Sequence, residues 1–298
     1  MAIVQTDLQG ALPLVARGKV RDIYQIDNET LLFVATDRIS AYDVIMNNPI
    51  PDKGILLTKL SLFWFEFLKD VIPNHLKKIQ NIDFADGQLS PYKSQLQDRS
   101  LLVQKCKLIP LECIVRGYLT GSAYQEYLKT QTVHGMPIEK GLQQSAKFNK
   151  PIFTPSTKAE QGEHDENISL ERAIEIIGNK SLVEKISKIS IELYERARDY
   201  AYTKGIIIAD TKFEFGLDEN SNLILIDEVL TPDSSRFWSR DTYQLGKDQD
   251  SYDKQFLRNW LVENKLKGVP DVTVPDEIIS QTRAKYIEAY ESLTDEKY

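Results

Sequence analysis

The stretch "IIIADTKFEFG", residues 206–216, decides how this chain is read. Its apolar residues predict a strand, yet it carries Asp210, Lys212 and Glu214. Side chains alternate in an extended chain, so these three share one face while Phe213 and Phe215 share the other. A buried face would be destabilised heavily by three unpaired charges. Taken alone, the simpler reading is a surface strand whose charged face meets water.

The flanking sequence changes that balance. A second strand, "NLILIDEVL" (222–230), follows the turn "GLDENSN" (216–222), so Glu214 and Asp227 fall on neighbouring strands. Two such carboxylates suit Mg²⁺, which takes hard oxygen ligands. Lys212, on the Glu214 face, would balance phosphate charge, and Arg236 would clamp a second anion after the turn at Pro232. A surface ion-pair network is the competing interpretation.

Three further stretches add charge at the ends of apolar runs. In "ARGKVRDIY" (16–24), Gly18 lets the backbone approach a ligand, while Arg17, Lys19 and Arg21 offer positive charge. The spacing is not that of a Walker loop, and taken alone an ordinary charged hairpin is the better explanation. "TDRISAYDVIM" (36–46) crowds Asp37, Arg38, Ser40 and Asp43 at a strand end, where helix capping is the alternative. In "IVRGYLTGSAYQEY" (114–127), Arg116 leaves a strand and Ser122 opens a helix whose first N–H groups suit a phosphate. The plain alternative for Arg116 is a pairing with a carboxylate such as Glu112.

Composition sets the outer bounds. The chain has 298 residues, 42% apolar and 27% charged, as in ordinary globular proteins large enough for two lobes. A net charge of −7 gives no broad cationic footprint for nucleic acid. Cys106 and Cys113 read as small core residues suited to a reducing compartment. The start lacks a targeting pattern and no run reaches membrane-spanning length, so a cytoplasmic location is expected. Zinc ligation and a hydrolase nucleophile elbow are both poorly signalled.

Along the chain, the first third reads as an antiparallel sheet. "GILLTKLSLFWFEFLKDVIP" (54–73) reads as an amphipathic helix stopped near Pro73. Two strands interrupted at Pro110 follow, then a helix beginning at "GSAYQEYLKT" (121–130). Residues 135–169 show no period and read as a long irregular binding segment. Helices are expected over residues 181–205, 251–268 and 275–293.

In their order, these stretches resemble the phosphoribosylaminoimidazole-succinocarboxamide synthase (SAICAR synthase) family. "LIPLECIVRGYLTGS" (108–122) and "IADTKFEFG" (208–216) look like its signatures. "RGKVRDIY" (17–24), "TDRISAYD" (36–43), "GEHDENIS" (162–169) and "DEVLTPDSSRFW" (227–238) are similar to further family segments. The resemblance spans nearly the whole chain. An additional residue within "DEVLTPDSSR" and a longer central loop look like the fungal single-function form.

The resemblance implies an α+β, two-lobed fold with an ATP-grasp or kinase-like nucleotide cleft. An N-terminal antiparallel sheet lobe (1–107) would face a larger α/β part (108–298) carrying the magnesium and substrate sites. The implied reaction joins L-aspartate to 5-amino-1-(5-phospho-D-ribosyl)imidazole-4-carboxylate (CAIR), with ATP and Mg²⁺, in purine biosynthesis. Gly18, Lys19 and Arg21 would cover the phosphates, and backbone from Cys106 to Leu108 would meet the adenine edge. Lys212 would contact phosphate, with Glu214 and Asp227 on magnesium. Arg116, Ser122 and Arg236 would hold the nucleotide substrate, bordered by Asp37, Arg38 and Ser40. Lys158, His164 and Asp165 would serve aspartate binding and closure. No nucleic-acid or membrane partner is implied, and a monomer is the working state. The competing classes are a small-molecule kinase with the same cleft and a nucleotide-binding regulatory protein without turnover.

Overall fold

In the computed structural model, which describes residues 2–78, 80, 82–158 and 166–298, the chain builds two main antiparallel sheets in turn. The first takes the strands Leu14–Arg17, Arg21–Gln25 and Thr30–Ala35 in succession, with Ser100–Gln104 beside the third. Thr30, Leu32 and Val34 point inward and the residues between them outward, as a half-covered strand requires. The buried face closes over Leu8, Leu12, Tyr24, Leu89 and Leu96.

The second sheet is organised on Ile206–Leu217. Leu111–Tyr118 pairs along one edge, with Asp210 opposite Arg116 and Phe213 opposite Cys113. On the other edge, Ser235–Ser239 pairs with its first half and Leu223–Ile226 with its second. Lys147–Phe153 adds a strand outside Leu111–Tyr118, so the segment expected to be irregular contributes to the sheet. Its short strand signal is diluted by Lys147, Asn149 and Lys150, which point to solvent.

Strict alternation along the long strand would put Asp210, Lys212 and Glu214 on the same face as Ile206 and Ile208. Those isoleucines pack with Phe213 and Phe215 in the main core instead. The pairing with Ser235–Ser239 slips between Ile208 and Asp210, leaving Ala209 as an extra residue. Such a bulge resets the alternation, so the charged residues face away from the core. The Tyr194 hydroxyl donates to the Ile208 carbonyl at 2.7 Å, beside the bulge. Gly117 makes room for it, since a Cβ there would lie 1.9 Å from that oxygen.

Helix Lys180–Thr203 covers the core face with Val183, Ile186, Leu193, Tyr194, Ala197 and Ala201, a helical stripe. Asn179 caps it by accepting the Leu182 N–H at 3.0 Å. Helices Lys53–Phe67 and Asp276–Thr294 close the same core through Leu60, Trp64, Tyr286 and Leu293. The first of these departs from expectation. It ends at Phe67, before Pro73, and has little amphipathic character because neighbours cover most of its circumference.

Candidate active site

The charged face of the long strand is not an open surface. Asp210 and Glu214 are each 5% exposed. Lys212 Nζ stands 2.8 Å from Glu112 Oε1 and 2.8 Å from Glu214 Oε1, while Lys158 pairs with the other Glu214 oxygen. Arg21 reaches across from the first sheet to pair with Asp227, and lies 3.7 Å from Glu228. Asp227 follows directly on the strand Leu223–Ile226 in left-handed backbone, φ 67°.

Electrostatics hold Asp227 and Lys212 in their charged forms. Burial works against the Asp227 carboxylate, but Arg21, Lys212 and Lys158 outweigh it and hold its pKa well below the usual range. Burial likewise opposes the Lys212 ammonium, and Glu214 and Glu112 raise its pKa well above the ordinary value. Glu228 is raised, chiefly by burial.

The turn at Gly18 is built as a loop over this cluster. The Gly18 N–H donates to the Arg21 carbonyl at 2.8 Å. Arg38 braces it from behind, donating to the carbonyls of Lys19 at 3.0 Å and Gly18 at 2.9 Å and to Asp22 at 2.9 Å. Lys19 pairs with Asp43. In the segment beside strand Ile206–Leu217, Leu108 is exposed and Cys106 half-buried. Burial pushes the Cys106 thiol up to about 11, so it stays protonated and unreactive.

Further along the same face, two arginines share Asp210. Arg116 donates to Asp210 Oδ2 at 3.0 Å and through Nε to Thr154 Oγ1 at 3.0 Å, and Arg236 pairs with the same oxygen. The start of helix Gly121–Thr130 touches this pair: a Cβ on Gly121, at φ +59°, would lie 2.6 Å from Arg236 Nη2. Ser122 and Arg236 line a wide groove with Tyr42, Arg258 and Lys267. Sequence reasoning missed these last three. Arg258 sits half-buried on the helix Gln255–Glu263, where a lone arginine carries no signal until the helix is placed.

Asp37 is not brought into the groove. It is fully buried and accepts from the N–H groups of Ile3 (2.7 Å) and Gly54 (2.9 Å) and from Arg99 (2.9 Å), which leaves it a tie between segments. Arg38 serves the Gly18 loop, as above, and Ser40 is buried near Lys254, whose ammonium donates to its carbonyl at 3.3 Å. Lys158 pairs with Glu214, away from the groove lined by Ser122 and Arg236. His164 and Asp165 lie outside the described residues.

Among the described residues no three His, Cys, Asp or Glu side chains stand together as a metal site. Around Lys212, however, three cations (Arg21, Lys158, Lys212) meet four carboxylates (Glu112, Glu214, Asp227, Glu228). That donor set fits Mg²⁺, which commonly takes one or two carboxylates together with substrate phosphates and waters.

A basic glycine turn on one sheet tied by Arg21 to Asp227 beside the other, with a groove lined by Ser122 and Arg236 alongside, carries the groups that a nucleotide-dependent enzyme needs. The SAICAR synthetase family model matches residues 14–273. The phosphoribosylaminoimidazole-succinocarboxamide synthase of Saccharomyces cerevisiae is 63% identical, across 100% of this chain and 99% of its own. That of the bacterium Maridesulfovibrio salexigens is 55% identical over 98% and 97%, so the form is not confined to fungi. The solved S. cerevisiae SAICAR synthase complexed with SAICAR superposes with a TM-score of 0.89 at 60% identity, covering 100% and 99% of the two chains. A type-2 SAICAR synthetase in complex with ADP gives 0.69 at 27% identity over 95% and 98%. The chain belongs to the SAICAR synthetase family and is an ATP-dependent carbon–nitrogen ligase of purine biosynthesis.

Proposed function

We propose that the cleft joins L-aspartate to the carboxylate of CAIR, forming SAICAR, ADP and phosphate. The observation that carries this is the placing of both anion sites on one strand. Asp210, with its two arginines, and Glu214, with its two lysines, are four residues apart, roughly 13 Å along a strand. Such spacing suits a nucleotide monophosphate substrate lying end to end with the γ-phosphate of ATP.

A carboxylate resists amine attack because it is charged and has a poor leaving group. Transfer of the γ-phosphoryl group to the imidazole carboxylate gives an acyl phosphate with phosphate as leaving group, and the aspartate amine displaces it. Lys212 and Arg21 are placed to meet the negative charge that migrates from ATP to the carboxylate. The Gly18 loop would lie over the phosphates, and Arg116, Ser122 and Arg236 would orient the imidazole nucleotide. Glu214 and Asp227 would hold Mg²⁺, which when bound neutralises phosphate charge. Lys158, beside Glu214, borders the aspartate side. We place the lobe boundary at residues 107/108, next to the backbone assigned to the adenine edge.

No described helix is long and apolar enough to cross a membrane. A cytoplasmic monomer acting on small molecules is the state we assign. The test is ADP release from ATP, Mg²⁺ and CAIR with and without L-aspartate, with the imidazole product identified. Aspartate-dependent ADP and a succinocarboxamide product are expected. ADP release indifferent to aspartate would make the protein a kinase or hydrolase, and ATP binding without turnover would make it a regulatory binder.

A further inference from the structure

Behind the two anion sites lies a buried ionic group that the reaction described above does not use. Asp233 sits in the turn before the strand Ser235–Ser239, with its side chain 3% exposed. Three other elements converge on it. Lys53, the first residue of its helix, brings Nζ to 2.6 Å. Lys254, preceding the helix Gln255–Glu263, brings Nζ to 3.6 Å. The Tyr286 hydroxyl, from the C-terminal helix, donates to Asp233 Oδ1 at 2.8 Å. The Lys53 contact lies outside hydrogen-bonding angles, so it is a contact between charges.

Such a group is a poor way to stabilise a fold. Lys53 is completely buried and Lys254 is 9% exposed, and two desolvated ammoniums share one carboxylate. Packed apolar residues of similar volume commonly do as well or better. What the group supplies is geometry, and the turn it pins leads to both substrates. The Lys212 N–H donates to the Ser234 carbonyl at 2.9 Å. Thr231 donates to Glu228 at 2.9 Å, and Glu228 faces Arg21. Arg236 leaves the same turn into its strand, where it pairs with Asp210.

We propose that Asp233, Lys53, Lys254 and Tyr286 form a positioning cluster that fixes the 231–235 turn, and with it the separation between Lys212 at the phosphate end and Arg236 at the nucleotide-substrate end. The inference rests on the function proposed above. None of the four residues is assigned a substrate contact. Their effect is on alignment of the two reactants, which enters the rate of the chemical step more than the binding of either one.

The test is steady-state kinetics of Tyr286→Phe, which keeps the ring and removes the donor, together with Lys254→Met and Lys254→Arg. For Tyr286→Phe, kcat is expected to fall about tenfold while the KM values for ATP and CAIR stay within about twofold. Lys254→Met is expected to behave likewise and Lys254→Arg to recover most of the loss. Asp233→Asn should show the same split more strongly, and the milder variants keep the test valid if that one fails to fold. A Tyr286→Phe protein with a lowered Tm but unchanged kcat, assayed well below that Tm, overturns the inference. So does a change confined to one substrate's KM. The unmutated protein run in parallel tests the function itself, since without aspartate-dependent ADP release the proposed reaction fails first.

Discussion

Lowering the pH should destabilise the protein through His134, and the structure sets the size of the effect. His134 is 5% exposed, its Nδ1 lies 3.1 Å from the Pro155 carbonyl, and its Nε2 has no partner. The ring is therefore neutral, with the proton on Nδ1 donating to Pro155. Burial, reinforced by the nearby Arg116 charge, pulls its pKa down to about 4. In the unfolded chain the value is about 6.5, so between these values the unfolded state holds the proton and the folded state does not. Stability from this residue is thus intact above pH 6.5 and is lost as the pH falls towards 4. At pH 5 the loss is about 2 kcal/mol relative to pH 7.5. His134→Asn isolates it: Asn tolerates the left-handed backbone at φ 48° and keeps a donor near the Nδ1 position, but does not titrate. Urea unfolding of both proteins at pH 7.5 and 5.0 measures the difference. The variant should lose about 2 kcal/mol less than the parent over that interval. Equal losses in the two proteins would refute the reasoning.

Two substitutions test the two ends of the strand separately. Glu214→Gln keeps size but removes a carboxylate that Lys158 and Lys212 now share; the gain in ADP affinity that Mg²⁺ produces should vanish while Mg²⁺-free ADP affinity rises, since one negative charge leaves the cluster, a result read by calorimetric titration with and without the metal. An undiminished Mg²⁺ effect would remove Glu214 from the metal site. Gly121→Ala forces a side chain onto left-handed backbone and against the Arg236 guanidinium, so it should cost about 1 kcal/mol in stability and raise KM for the imidazole nucleotide about tenfold, with KM for ATP unchanged. An unaltered KM for the imidazole nucleotide would mean that Arg236 does not need its present position.

The antiparallel sheet of the first third, the helices expected after residue 180 and the charged strand were legible because each follows from a local period; that Ser100–Gln104 joins the first sheet and that Leu170–Ile177 is a helix were not. That Glu214 and Asp227 come from neighbouring strands was legible too, since one short turn joins those strands; Glu214 lies opposite Ile226 and Asp227 follows it. What stayed hidden depends on contacts between distant segments. Nothing local announces that Arg21 crosses between sheets to Asp227, or that Asp37 is consumed by Ile3, Gly54 and Arg99. The bulge at Ala209 is also silent, because it contains neither Gly nor Pro and is defined by the partner strand. Alternation read from Asp210 onward gave the correct face; alternation read from Ile206 would have given the opposite one.

That bulge explains how one strand carries both a core and a site with two electrostatic characters. Its first residues supply Ile206 and Ile208 to the core, and after the slip the charged residues emerge on the other face. At Asp210 two guanidiniums share one carboxylate, leaving excess positive charge ready for a phosphate monoester. Around Glu214 the carboxylates outnumber the cations by one, so a polyphosphate entering alone would meet repulsion. In the function proposed above, a divalent cation held by Glu214 and Asp227 would reverse that sign and leave Arg21 to face the phosphates. On that proposal the two ends of the strand would discriminate between their anions by charge before any contact with a base or sugar is made.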